Sequence, residues 1–257
     1  MWKIFVAIFF VNVVSSEPIR HPVIIGGMEA KIQDVPYQVA LYHYGIFKCG
    51  GSILSEWYIL TAAHCLDFAF LPTDAVTFRA GSANNRDGGV IVQAENITIH
   101  PEYDAETFNN DVAIVKLKEP LELNNENIKA IRIVDEDFTI KNFEMVQVSG
   151  WGRLETGYLP EQLMRVIVPV LHHRECNIFY KPLHDSDILE TMICAGFPET
   201  DSCDGDSGGP LVYPLDNELV QLGIVSFGPN TCGVSVGVYT YISHPSVREF
   251  IRSTSDI

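Results

Sequence analysis

From Ile24 onward the chain is a succession of short apolar or alternating runs, each ended by turn residues. They read "YQVALYHY", "AVTFRAG", "GVIVQAENITI", "DVAIVKL", "MVQVSGWG", "MRVIVPVL", "PLVYPL", "VQLGIVSFG" and "GVYTYI". Runs this short, rich in β-branched and aromatic residues and evenly spaced, form strands; many in series make an all-β barrel or sandwich. Helical periodicity is convincing only near the end, in "SHPSVREFIRS". There Ser243 or His244 precedes Pro245, and the apolar Val247, Phe250 and Ile251 follow. Strands and helices do not alternate, which argues against a doubly wound α/β sheet. The polar segment "ELNNENIKAI", Glu122 to Ile131, is the best connection between two halves, about 24–130 and 131–257. With 47% apolar and 19% charged residues, the 257-residue chain can build a core and is not disordered.

The first sixteen residues, "MWKIFVAIFFVNVVSS", stand apart from that pattern. Lys3 is a basic start, Ile4 to Val14 is an apolar run broken only by Asn12, and Val14 and Ser16 fit a small-residue cleavage pattern. The run is shorter than the ~20 apolar residues of a membrane span. It reads as a signal peptide cut before Glu17, which predicts a secreted, extracellular protein with no membrane partner.

Six cysteines follow the leader: Cys49, Cys65, Cys176, Cys194, Cys203 and Cys232. An even count in a secreted chain favours disulfides, and none of the spacings suits zinc. The net charge of −16, or −17 once Lys3 leaves with the leader, disfavours nucleic acid and anionic membranes.

The segment "DSCDGDSGGP", Asp201 to Pro210, sets Ser207 in G-D-S-G-G. Three readings compete: a glycine-rich turn with an inert serine, a nucleophile elbow, or a serine whose partners lie upstream. An elbow needs a strand–turn–helix and the order Ser…Asp…His, which Asp216 and His244 satisfy formally. The "GGPLVYPL" after Ser207 cannot open a helix, which argues against it. The third reading needs a base to take the serine proton and an acid to orient the base. His64 in "LTAAHC" stands beside Cys65, and Asp111 in "NNDVAIVKL" leads an acid straight into an apolar strand. Burial there is costly unless a donor such as a histidine N–H satisfies the charge.

"TAAHC", "NNDVAIVKL" and "DSCDGDSGGP" together resemble the three catalytic blocks of the trypsin/chymotrypsin-like serine proteases, in that family's order. The resemblance runs from "IIGG" through "CGGSIL", "SGWG" and "GIVSFG" to "GVYTYI" and the terminal helix, nearly all of the mature chain. It implies two packed antiparallel six-stranded β-barrels with a short C-terminal helix. The catalytic residues would be His64, Asp111 and Ser207, with an oxyanion hole from the backbone N–H groups of Gly205 and Ser207. It implies disulfides Cys49–Cys65, Cys176–Cys194 and Cys203–Cys232, no cofactor, and a monomer. Partners would be protein or peptide substrates, protein protease inhibitors and an activating protease.

By the same resemblance Asp201 lies at the base of the primary pocket, where a carboxylate favours Arg or Lys. Ser202 adds a hydrogen bond, Gly228 and Gly237 form the pocket walls, and Ser226, Phe227 and Gly228 pair with the substrate backbone. Phe227 stands where tryptophan is usual, Asp204 replaces a commonly neutral residue, and the loops around Cys232 have chymotrypsin-type lengths. A chymotrypsin- or elastase-like specificity, or a non-catalytic homologue acting as a binding protein, is the alternative. Activation in the family frees a terminus, here Ile24, whose ammonium pairs with Asp206, so residues 17–23 form a propeptide. Val23 before that bond is not Lys or Arg, which points to another protease or to trimming after a cut at Arg20. "RAGSANNRDGGV" offers Asp87 alone to a cation, so no metal is expected. Asn96-Ile97-Thr98 is a glycosylation sequon.

Overall fold

The computed structural model describes residues 27–69, 71–123, 126–153, 157–181, 187–196, 205–228 and 236–257. After a two-residue strand, β1 (Met28–Glu29), the first half holds β2 (Gln38–His43), β3 (Ile46–Ile53), β4 (Tyr58–Thr61), β5 (Val76–Ala80), β6 (Val90–Ile99) and β7 (Ala113–Leu117). These six pair antiparallel in a closed ring, β2-β3-β4-β7-β6-β5. The second half holds β8 (Arg132–Ile133), β9 (Met145–Gly150), β10 (Met164–Leu171), α1 (His173–Tyr180), β11 (Met192–Ala195), β12 (Pro210–Leu215), β13 (Glu218–Phe227), β14 (Gly237–Tyr241) and α2 (Pro245–Ser255). Here β9, β10, β11, β14, β13 and β12 close a second ring because β9 pairs with both β10 and β12, while β1 and β8 attach outside it. The expected two six-stranded barrels and C-terminal helix are therefore present. Closure pairs both edges of every strand within the two rings, leaving only the two-residue β1 and β8 paired on one side among the described strands.

Alternation sets which side chains fill the barrels. In β5, Val76, Phe78 and Ala80 point inward while Thr77 and Arg79 stay half-exposed. The main core runs through both barrels, from Val39, Ile53, Phe78 and Ile114 to Val148, Val166, Leu222 and Tyr239. A smaller cluster around Tyr37, Trp151, Leu163 and Val212 lies beside it. Polar side chains stitch the halves together: Ser52 donates to Gln221 at 2.6 Å, and Ser149 donates to Gln38 at 2.7 Å, all four fully or almost fully buried. The helix α2 buries Val247, Phe250 and Ile251, one helical face, and sets Phe250 against the ring of His100 at 4.9 Å. Among the described residues no helix is long and apolar enough to cross a membrane.

Helix α1 goes beyond the sequence expectation, which found helical periodicity only at the chain's end. Among its described side chains Cys176 and Tyr180 alone are fully buried, too few for an apolar stripe. The Cys176–Cys194 disulfide ties α1 to β11 in place of such a stripe.

Burial pushes three histidines, His43 on β2, His100 just after β6 and His244 at the start of α2, below the ordinary histidine value, with Lys48 adding to the effect at His43. The Nδ1 atoms of His100 and His244 accept backbone N–H groups from Glu102 and Ser246, so a proton there breaks a bond. The unfolded chain takes up protons near 6.5, before the folded one does. The resulting stability is complete above that pH and is lost as pH falls through the lowered folded values. The denaturation midpoint of a Ser207→Ala protein should drop as pH goes from neutral through mild acid; a flat or rising midpoint would contradict this.

Candidate active site

Asp111 is fully buried, one residue before Val112 leads into β7. Its carboxylate is met from three directions. The His64 backbone N–H donates to Oδ1 at 2.9 Å, the His64 ring Nδ1 lies 2.7 Å from Oδ2, and Ser226 Oγ donates to Oδ2 at 2.5 Å. Thr240 Oγ1 donates to the Asp111 carbonyl at 2.8 Å. A buried carboxylate is tolerated only with such a set of donors. Its charge is felt nearby: burial first, and Asp111 next, push the Tyr103 phenol far above its ordinary range.

The contact with Ser226 comes from a β-bulge. In the β13–β14 ladder Val225 faces Tyr239 and Phe227 faces Val238, so Ser226 is the extra residue. A bulge re-aims one side chain out of the ladder, and here it turns a hydroxyl onto Asp111. The sequence reading gave Ser226 only a backbone role; its side chain's role was missed, as was that of Thr240. Nothing in the motif marks a bulge.

His64 sits in a 3-10 turn, Ala63–Cys65, directly after β4. The Cys49–Cys65 disulfide ties this turn to β3. With Nδ1–H donating to Asp111, the lone pair is on Nε2. The ring is partly open to solvent, 22% for the side chain, and packs edge-on against Phe108 at 5.7 Å. Phe108 in turn lies 5.2 Å from Phe227, which meets Tyr180 at 5.8 Å. This aromatic shelf beside His64 was also missed, because its three members are far apart in sequence.

Ser207 is delivered to the same place by backbone contacts. Its carbonyl accepts the Gly50 N–H at 2.7 Å, and Gly208 N–H donates to Val225 O at 2.8 Å. Gly208 has φ +77, and a Cβ there would fall 2.2 Å from Thr61 Oγ1 and 3.2 Å from the Ala62 nitrogen. The serine's turn is therefore pressed against the two residues leading into the His64 turn. Gly50 is also crowded, since a Cβ would lie 3.1 Å from Gly209 Cα and the serine turn would have to give way slightly. That close approach explains a glycine inside a strand.

Asp206, next to Ser207, is a second fully buried acid. Its Oδ1 accepts the Gly152 N–H at 2.7 Å. A Cβ on Gly150 or Gly152 would lie 2.1 Å from a carboxylate oxygen, so both glycines of "SGWG" are needed to admit it. Gly205 adopts φ +99 against Gly152 Cα and Leu159. Gly237 is the buried first residue of β14 and pairs with Ala195, while Gly228 is exposed just after β13. Asn96 is exposed on β6, its Nδ2 donating to Thr98 Oγ1 at 3.2 Å. Ile24, Asp201, Ser202, Cys203, Asp204 and Cys232 lie outside the described residues, and with them the third disulfide. Among the described residues the one close set of three metal-ligating types is Cys49, His64 and Cys65. Both sulfurs are spent in a disulfide, so the set offers no thiolate to a metal.

Two antiparallel barrels with an Asp–His pair bonded beside a glycine-flanked serine define the class of two-barrel serine hydrolases. The chain matches the Trypsin family model over residues 24–251. It is 39% identical over 239 residues to Hypodermin-A of Hypoderma lineatum, covering 91% of this chain and 88% of that one. It is 35% identical over 240 residues to the Vitellin-degrading protease of Bombyx mori, covering 92% and 87%. With Trypsin 5G1 of Aedes aegypti it shares 34% identity over 239 residues, covering 91% and 85%. The chain belongs to the trypsin family and is a serine endopeptidase acting on protein substrates.

The crowding at Asp206 is directly testable. Gly152→Ala should destabilise the protein by about 1–3 kcal/mol through overpacking, read as a lower denaturation midpoint of the Ser207→Ala protein. An unchanged midpoint would mean that Asp206 has room to move.

Proposed function

We propose that this protein is a secreted endopeptidase that cuts after Arg or Lys through an acyl-enzyme, and that it is made as a zymogen. The observation that carries the catalytic assignment is the buried Asp111 bonded to both the backbone and the ring of His64, beside the turn that carries Ser207. In this reading His64 Nε2 takes the Ser207 Oγ proton as the oxygen attacks the scissile carbonyl. The same proton then passes to the leaving amine. Asp111 fixes the tautomer and stabilises the imidazolium. The N–H groups of Gly205 and Ser207 receive the oxyanion, and a donor of this kind is worth about 10²–10³ in rate.

Specificity rests on Asp201, whose charge at the pocket base favours a cationic side chain. The likeness to a relative named Trypsin 5G1 supports this reading. Gly228 and Gly237 leave room for a long side chain, with Ser202 adding a hydrogen bond. The chymotrypsin- or elastase-like alternative draws on the loop lengths around Cys232. For activation, the buried carboxylate of Asp206 is the partner for an Ile24 ammonium released by cleavage after Val23. Residues 1–16 are then the signal peptide and 17–23 the propeptide. The two disulfides support an oxidising, extracellular setting. The exposed Asn96 is a reachable glycosylation acceptor, and the enzyme acts as a monomer with protein inhibitors among its partners.

One set of measurements tests the assignment. A serine-directed acylating reagent should label Ser207, and His64→Ala should abolish activity while His244→Ala spares it. Against a panel of Arg, Lys, Phe and Leu substrates, Asp201→Ser should sharply reduce cleavage after Arg. Labelling of another serine would remove the triad assignment, and undiminished Arg cleavage would remove the pocket assignment.

A further inference from the structure

The residue before the buried aspartate is in a left-handed conformation. Asn110 has φ +51 and is 2% exposed. Asparagine tolerates that region better than most side chains, yet it still needs to be held there. A closed ring of hydrogen bonds holds it.

The direction of each bond in the ring follows from the one before. Glu102 N–H donates to His100 Nδ1 at 3.1 Å. A backbone N–H can only donate, so Nδ1 carries the lone pair and the neutral ring bears its proton on Nε2. Nε2 faces Ser246 Oγ at 3.1 Å and the Ser246 carbonyl at 3.3 Å. With its oxygen accepting there, the Ser246 hydroxyl proton turns to Asn110 Oδ1 at 3.1 Å. Asn110 Nδ2 then donates to the Glu102 carbonyl at 3.2 Å, which closes the circuit on the residue where it began. The ring joins the segment after β6, the residue before Asp111 and the first turn of α2, 136 residues away from Asn110.

We infer that this ring is a positioning device for Asp111, with His100, Asn110 and Ser246 as positioning residues. The inference rests on the catalytic reading of Asp111. Its carboxylate has to meet the His64 N–H and ring together, at 2.9 and 2.7 Å, which fixes both its place and its tilt. Downstream the chain is anchored at once by β7, whose Ala113 and Ile114 pair with Thr61 and Leu60. Upstream, the peptide shared by Asn110 and Asp111 is held through the Asn110 side chain. The C-terminal helix, docked by Val247, Phe250 and Ile251, thereby reaches the active site through one hydroxyl.

The test uses the active enzyme and three variants. Ser246→Ala opens the ring, Ser246→Thr keeps the hydroxyl, and Asn110→Gly accepts the left-handed backbone while removing the clamp. Because a small misplacement of a catalytic group can lower the rate severalfold to about 10²-fold, kcat on a small ester substrate should fall about tenfold in Ser246→Ala and Asn110→Gly. KM should not change, and Ser246→Thr should restore kcat. The acylating reagent should still label Ser207 in every variant, only more slowly. A lower melting temperature with wild-type kcat in both Ser246→Ala and Asn110→Gly, Ser207 still labelled, overturns the positioning role alone. Labelling of a different serine overturns the catalytic reading and this inference together.

Discussion

A carboxylate removed from water governs the architecture around it. The penalty for burying an ion is several kcal/mol even after relaxation, so Asp111 can stay charged only if donors surround it. No single element supplies them. His64 comes from the turn after β4 in the first barrel, whereas Ser226 and Thr240 come from β13 and β14 in the second. Satisfying one acid therefore requires both barrels to be closed, docked and in register. The Ser52–Gln221 and Ser149–Gln38 bonds serve the same docking with neutral groups.

Asp206 poses the same problem a short distance away and solves it differently. Two glycines, Gly150 and Gly152, crowd its carboxylate, and the Gly152 backbone N–H donates to it. Asp111 is held by side chains that fix a direction, which suits a residue that must orient an imidazole. Asp206 sits in a space shaped by missing side chains, where Gly150 and Gly152 let its carboxylate approach the backbone. The serine turn lies between these two acids, pinned by Gly50 on one side and Val225 on the other.

Much of this was legible in the sequence, for physical reasons that can be named. Strands such as β5, β7, β10 and β14 announce themselves because one face is buried and the residues alternate or run apolar. Strand β3 is harder to see, since Gly50 and Gly51 interrupt it, and the reason for Gly50 is the Ser207 turn, remote in sequence. Helix α1 is invisible to periodicity because a disulfide does the work of an apolar face. At the site, His64, Asp111 and Ser207 stood out through the resemblance of "TAAHC", "NNDVAIVKL" and "DSCDGDSGGP" to the family's three catalytic blocks. The hydroxyls of Ser226 and Thr240 did not, because a bulge and a cross-barrel contact leave no local pattern. The ring through His100, Asn110 and Ser246 is likewise a product of tertiary structure, written in three segments that are each unremarkable alone.

The central claim is that Asp111 makes Ser207 reactive by holding His64 in one tautomer and one place. The most direct measurement is the second-order rate at which a serine-directed reagent acylates Ser207, compared between the active enzyme and Asp111→Asn. An asparagine keeps the shape but offers the His64 ring an amide instead of a carboxylate, which favours the wrong tautomer. The account predicts a loss of about 10⁴-fold at neutral pH with the fold intact. Acylation at the original rate in a folded Asp111→Asn protein would contradict it.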